Sequence, residues 1–170
     1  MISIKMKGSF FFYLVFIFFL VNVVAKSNSK EFEVENALRE YLVCVDGKDV
    51  NKIAEYFYFD RKGWDRGPVF SFGDNGTIEF SHIKELKNYF SKWSSSNKAK
   101  FVSSKIESME IFLIFDGKSN KLYNVDAIIS RIDNVGTVVN RQRNLYYFQS
   151  DKTDESWTNW KIYMLSNISL

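Results

Sequence analysis

The chain has 170 residues, 46% of them hydrophobic and 25% charged, with one proline, one cysteine and one histidine. That length suits one domain, or one domain behind a targeting segment, and a chain of about 150 residues buries roughly two thirds of its unfolded surface. The lone Cys44 excludes an intramolecular disulfide framework, and the single His82 argues against multi-histidine metal centres. No metal and no cofactor is expected.

Phe10 to Ala25 form a nearly unbroken apolar run, broken only by Asn22, preceded by Lys5 and Lys7 and with no acid before Glu31. A basic start, an apolar stretch and a small residue at its end make a secretory signal over residues 1–25, cut after Ala25 with Val23 in support. The run is 16 residues long, short of the roughly 20 that a spanning helix needs. The competing reading is an uncleaved signal that leaves the protein membrane-anchored. A core helix is disfavoured by seven aromatics spread all round it. Either way the chain is expected to be exported, to a periplasm or to the extracellular space.

Loss of the leader takes Lys plus Arg from 23 to 21 against 20 acids, a net charge of +1. No dense basic block follows, which excludes nucleic acid as a main partner and limits membrane contact to the signal segment. Cys44 sits in a helical pattern beside apolar positions and is expected to be buried and inert, pairing between chains being the alternative. Asn75-Gly76-Thr77 and Asn167-Ile168-Ser169 are glycosylation acceptors only in a host that glycosylates exported proteins.

Residues 26–31 read as a polar lead-in to one domain over 32–168. Val34, Ala37, Leu38, Tyr41, Leu42 and Val45 recur at helical spacing, with Asn28 and Glu31 placed to cap the start and Gly47 to end it. Asp49 caps a second, short helix with Val50, Ile53, Ala54 and Phe57 on one face. Residues 60–77 read as a loop holding at most one short strand, and Ser81 as the cap of a third helix burying Ile83, Leu86, Phe90 and Trp93. Four strands follow, near Lys100–Phe115, Leu122–Ile132, Val138–Gln149 and Trp157–Ser166, separated by turn clusters as antiparallel hairpins require. The alternation of the first slips near Ser108, which predicts a bulge. Helices followed by an antiparallel meander give an α+β fold, helices on one face of the sheet.

The order of these features resembles SnoaL-like domains of the nuclear transport factor 2-like superfamily. The residues that carry the resemblance are Gly47-Lys48-Asp49, Tyr56-Phe57 then Asp60, Asp74-Asn75-Gly76 leading into Ser81-His82-Ile83, and Trp160-Lys161-Ile162 in the last strand. The spacing is also similar to the superfamily's lumazine-binding-like branch. The resemblance implies a cone: three N-terminal helices packed on a strongly curved antiparallel sheet, open at one end to an apolar pocket, often dimeric through the sheet. It leaves function open, because this shell hosts isomerases, dehydratases, cyclases and proteins without known chemistry.

Catalytic relatives place an acid, a base or an oxyanion donor in the pocket. The candidates here are Asp126 in mid-strand, His82 at a helix start and Asp60 after the second helix. Asp126 is equally an outward residue paired across the strand, and Arg141 and Arg143 are either anion binders or a solvated, ion-paired stripe. The opposite face, with Asn140, Gln142, Asn144, Tyr146 and Phe148, suits a wet pocket wall or a dimer interface. Tyr56, Trp64, Asn144 and Tyr146 are the candidate ligand contacts. No active-site signature, serine elbow or phosphate loop assigns a catalytic residue by motif. The leading expectation is therefore an exported, non-catalytic domain that binds a small apolar or aromatic molecule or acts as an interaction module. The alternative is a small isomerase, dehydratase or cyclase using general acid-base catalysis.

Overall fold

The structure, a computed structural model, describes residues 30–59, 67–72, 76–96, 100–117, 120–151 and 160–169. The signal segment, Asn28, Asp60, Trp64, Asp74, Asn75 and Trp157 lie outside the described residues. The chain divides into Met1–Glu33 and Val34–Leu170. In the first, residues 30–33 are helical and Lys30 Nζ pairs with Glu33 at 2.9 Å.

In the second unit, the helical stretch 34–46 (α1) buries Val34, Leu38, Tyr41, Leu42 and Val45, the residues spaced at three and four. Its end is a Schellman turn: Lys48 N–H donates to Val45 O at 3.1 Å and Asp49 N–H to Cys44 O at 3.1 Å. The left-handed residue is Lys48, at φ 54°, not the adjacent Gly47 that the sequence offered as the stop. Asp49 then caps α2 (Val50–Glu55), its side chain accepting Lys52 N–H at 3.2 Å.

The loop expected over 60–77 contributes one short strand, β1 (Val69–Ser71), and a second, β2 (Thr77–Glu79), starts at its end. After these comes α3 (Ile83–Ser94), whose N-cap is His82 rather than Ser81; Glu85 accepts both the Ser81 and His82 N–H groups, at 3.0 and 3.3 Å. Leu86 and Phe90 are buried as expected, whereas Ile83, in the first turn, is exposed.

The long strands are β3 (Ser103–Asp116), β4 (Asn120–Ile132), β5 (Val138–Asp151) and β6 (Lys161–Ser169). The six strands form one sheet in the order β2-β1-β6-β5-β4-β3. It is mixed, not antiparallel throughout, because β1 runs parallel to β6 with Phe70 opposite Leu165. The register of β3 against β4 shifts between Ile106 and Ser108, where the alternation of the sequence breaks. The β4–β5 turn is held by Asp133, whose carboxylate accepts Val135 and Thr137 N–H at 3.0 and 2.8 Å.

One core joins these elements. Alternate residues of the strands (Tyr123, Val125, Ala127 and Ile129 on β4; Tyr146 and Phe148 on β5) meet the buried faces of the helices. Phe70 of β1 is its aromatic centre, in ring contact with Phe57, Phe80, Tyr89 and Phe90 at 4.9–5.9 Å. Cys44 packs against this core half-buried, and burial pushes its thiol up, which keeps it a poor nucleophile. Among the described residues no helix is long and apolar enough to cross a membrane.

Two glycines separate steric from torsional demand. A Cβ on Gly67 would lie 1.8 Å from Phe80 O, while Gly136 has open space around it but φ +86°. Gly136→Ala is expected to lower stability by about 1 kcal/mol through the backbone alone, and Gly67→Ala by more, since its obstacle is main chain. Urea midpoints of the two variants check the order; equal midpoints would contradict it.

Candidate functional site

The alternation that builds the core also lines a cavity of about 530 Å³. That volume lies within the range of small-molecule sites. Its apolar wall comes from the helices and β1: Tyr41, Val45, Phe70, Phe72, Tyr89, Phe90 and Trp93, with Phe101 just ahead of β3. Its polar wall comes from the strands: Asn140, Gln142, Asn144 and Tyr146 on β5, Asn167 on β6, and Arg131 at the end of β4, with Leu165 of β6 an apolar patch beside them.

The amides are organised by strand register. Asn144 lies opposite Asn167, and Asn167 Nδ2 donates to Asn144 Oδ1 at 2.8 Å and to Gln142 Oε1 at 2.9 Å. Both acceptors are thereby used, and Asn144 Nδ2, in a residue 2% exposed, has no hydrogen-bond partner among the described residues. The engagement of Asn167 Nδ2 also opposes its use as a glycan acceptor, because that nitrogen is the one a glycan would take.

At the other end Arg131 is held from two sides. Its Nη1 donates to Ser104 Oγ and stands 3.6 Å from Asp46 Oδ1, and its guanidinium carbon lies 4.7 Å from the Phe101 ring centre. Asp46 in turn accepts Ser104 N–H at 2.8 Å. Lys48 Nζ completes the cluster, donating to Phe101 O at 2.8 Å.

The ionisable groups of the cavity are mostly phenols. Burial, then the nearby Tyr146, holds the Tyr41 hydroxyl well above its usual value. Burial pushes Tyr146 up to about 12 against the opposing pull of Arg131, and burial also raises Tyr89. All three are neutral donors near pH 7. Among the described residues the lining holds no Asp, Glu or His, and no three such side chains (Cys included) gather to hold a metal ion.

The sequence candidates therefore separate. Asn144 and Tyr146 line the cavity. Tyr56 does not; its hydroxyl donates to Glu40 Oε2 at 3.3 Å, and burial first raises its pKa to about 12. Asp126 lies on the opposite face of β4 from the buried Val125 and Ala127, paired with Arg143 Nε at 2.9 Å. Arg141 pairs likewise with Glu107 at 2.8 Å, so the two arginines form an exposed, ion-paired stripe. His82 is exposed at the start of α3, away from the cavity lining. Asp60 and Trp64 lie outside the described residues. Sequence reasoning missed Arg131 and gave Asn167 only a glycosylation role; the parity of Arg131 with the buried Ile129 was the available signal.

This arrangement, a mixed sheet with a cavity between one of its faces and the helices, is that of the nuclear transport factor 2-like fold. A candidate scytalone dehydratase from Novosphingobium aromaticivorans matches at a TM-score of 0.57 and 11% identity, over 86% of this chain and 88% of that one. A nuclear transport factor 2-like protein with a cystatin-like fold, also from Novosphingobium aromaticivorans, matches at 0.55 and 11% identity, over 89% and 90%. A candidate dehydratase of the nuclear transport factor 2-like family from Streptomyces avermitilis matches at 0.55 and 9% identity, over 84% and 97%. At these identities the likeness establishes the fold alone. No family model matches the sequence, and no curated protein matches it.

The raised phenol gives a pH dependence with a definite sign. A tyrosine at 10.0 unfolded and about 12 folded keeps its proton in the native state after the unfolded chain has lost it. The stability it contributes is complete below pH 10 and falls as pH rises toward 12. Tyr146→Phe is expected to flatten the loss of stability over that window relative to the wild type, read by urea unfolding at stepped alkaline pH. An unchanged slope would contradict the burial of that hydroxyl.

Proposed function

We propose that the protein is an exported binding domain whose cavity takes a small apolar or aromatic molecule, without catalysing its conversion. The observation that carries this reading is the lining itself: an aromatic wall facing amides and neutral phenols, with no carboxylate or imidazole among its described residues. Aromatic faces suit a flat apolar body, and the few polar groups orient it. The cone-shaped closure of helices over a curved sheet belongs to the same proposal, supported by a cavity lined from α1, α3 and four of the strands.

The catalytic alternative draws support from the dehydratase candidates among the similar structures. Of its sequence candidates Asp126 is paired on the other face, which leaves Asp60 as the carboxylate to test. Loss of turnover of a cavity-bound compound in Asp60→Asn would establish that alternative against the binding reading.

Protein purified from its own host is expected to carry a small-molecule adduct in native mass spectra that is lost on denaturation. A naphthalene-sized aromatic, neutral or anionic, at a hundredfold excess over its Kd is expected to raise Tm by about 5–10 °C. No adduct and no shift with any such aromatic would overturn the binding reading.

Export and self-association are tested on the same material. The mature chain is expected to start at Lys26 and to sediment as a dimer through the ion-paired sheet face, where Ile168 is 44% exposed. An N-terminus at Met1 would remove cleavage in favour of the membrane-anchored alternative, and recovery from the cytoplasm would remove export; a concentration-independent monomer would remove the dimer.

A further inference from the structure

Three features of the cavity converge on the chemistry of its occupant. The first is Asn144 Nδ2, one of three buried side-chain atoms without a partner among the described residues, and the one whose residue lines the cavity. Asn124 and Ser150, which hold the other two, do not line it. The Asn167 amide occupies the Asn144 acceptor, so what Asn144 offers the cavity is a donor. A buried donor left unmade is costly, and an acceptor on a ligand would satisfy it.

The second is charge. Arg131 and Lys100 are the lining cations, and no carboxylate is present among the described lining residues. Asp46, which is not a lining residue, faces Arg131 at 3.6 Å and offsets one of the two charges. Lys100 is exposed and Lys48 also stands over Phe101, so the balance left is positive and favours an anion. The guanidinium is also already ordered: its side chain is 11% exposed, over the Phe101 ring and tied through Nη1, so its charge is held in place before a ligand arrives. The third is the aromatic wall, which suits a planar ring system.

We propose that the ligand of this cavity is a planar aromatic acid, an apolar ring body carrying one oxyanion that is received by the Asn144 amide within the positive field of the Arg131 guanidinium. The inference rests on the binding reading above and goes further by naming the acid. It excludes neutral hydrocarbons as preferred ligands, and it excludes aromatic cations.

A matched pair of fluorescent probes tests it: anilinonaphthalene sulfonate, which carries one oxyanion, and its uncharged parent, N-phenylnaphthylamine. The wild type is expected to bind the sulfonate about tenfold tighter, the scale of a charge-assisted hydrogen bond. Asn144→Leu and Arg131→Met are each expected to bring the ratio of the two affinities toward one, with near-ultraviolet circular dichroism verifying native packing. Equal affinities in the wild type would overturn the acid while leaving the binding reading intact; binding of neither probe would overturn both. Should Arg131→Met lose native packing, the wild-type ratio and Asn144→Leu decide, and an undiminished ratio in Asn144→Leu overturns the assignment of that amide.

Discussion

The end of α1, the start of β3 and the end of β4 meet at one ion-paired cluster, and the geometry of the cavity depends on it. Asp46 accepts the Ser104 N–H at 2.8 Å while Arg131 reaches the same two residues from the neighbouring strand. Removing one member of a largely buried pair costs about 3–5 kcal/mol, because the other charge is left uncompensated. That penalty fixes the guanidinium over Phe101 and so fixes one end of the cavity. The same cluster explains a lysine in a left-handed turn. The φ of 54° at Lys48 costs about 1–2 kcal/mol for a residue with a Cβ. Its Nζ offsets this by donating to Phe101 O at 2.8 Å and standing 5.1 Å above that ring, which glycine could not do.

Periodicity made the helices and the long strands legible. Leu38, Tyr41 and Val45 recur at three and four, and Tyr123, Val125, Ala127 and Ile129 at two, because burial of one face demands it. What stayed hidden lacks a local signal. A three-residue strand such as β1 is too short to show a period, and its parallel pairing with β6 joins segments far apart in sequence. The N-cap moved from Ser81 to His82 because the Glu85 carboxylate reaches back to both N–H groups, a bond that the identity of residue 81 does not decide.

The site was legible in its face and obscure in its partners. Asn144 and Tyr146 could be placed on an uncharged polar face, and that face lines the cavity. Asn167 acquires meaning only through its register with Asn144, a relation between two strands that neither strand states alone. Arg131 looks in sequence like the solvated end of a strand; it turns inward because Asp46 and Ser104 supply the partners that a buried guanidinium requires.

Parity along β4 governs the chemistry open to this fold. Asp126 stands between Val125 and Ala127, both fully buried, so the apolar run that packs the core turns the carboxylate to the other face. There it is diagonal to Arg143, within the reach of cross-strand side chains, and bonds it at 2.9 Å. A slip of one residue would carry Asp126 inward, but it would also expel Tyr123, Val125, Ala127 and Ile129 from the core together. The hydrophobic pattern thus forbids the one rearrangement that would put this carboxylate beside Tyr146. The described walls are left with amide donors, neutral phenols and a guanidinium fixed by its own counter-ion.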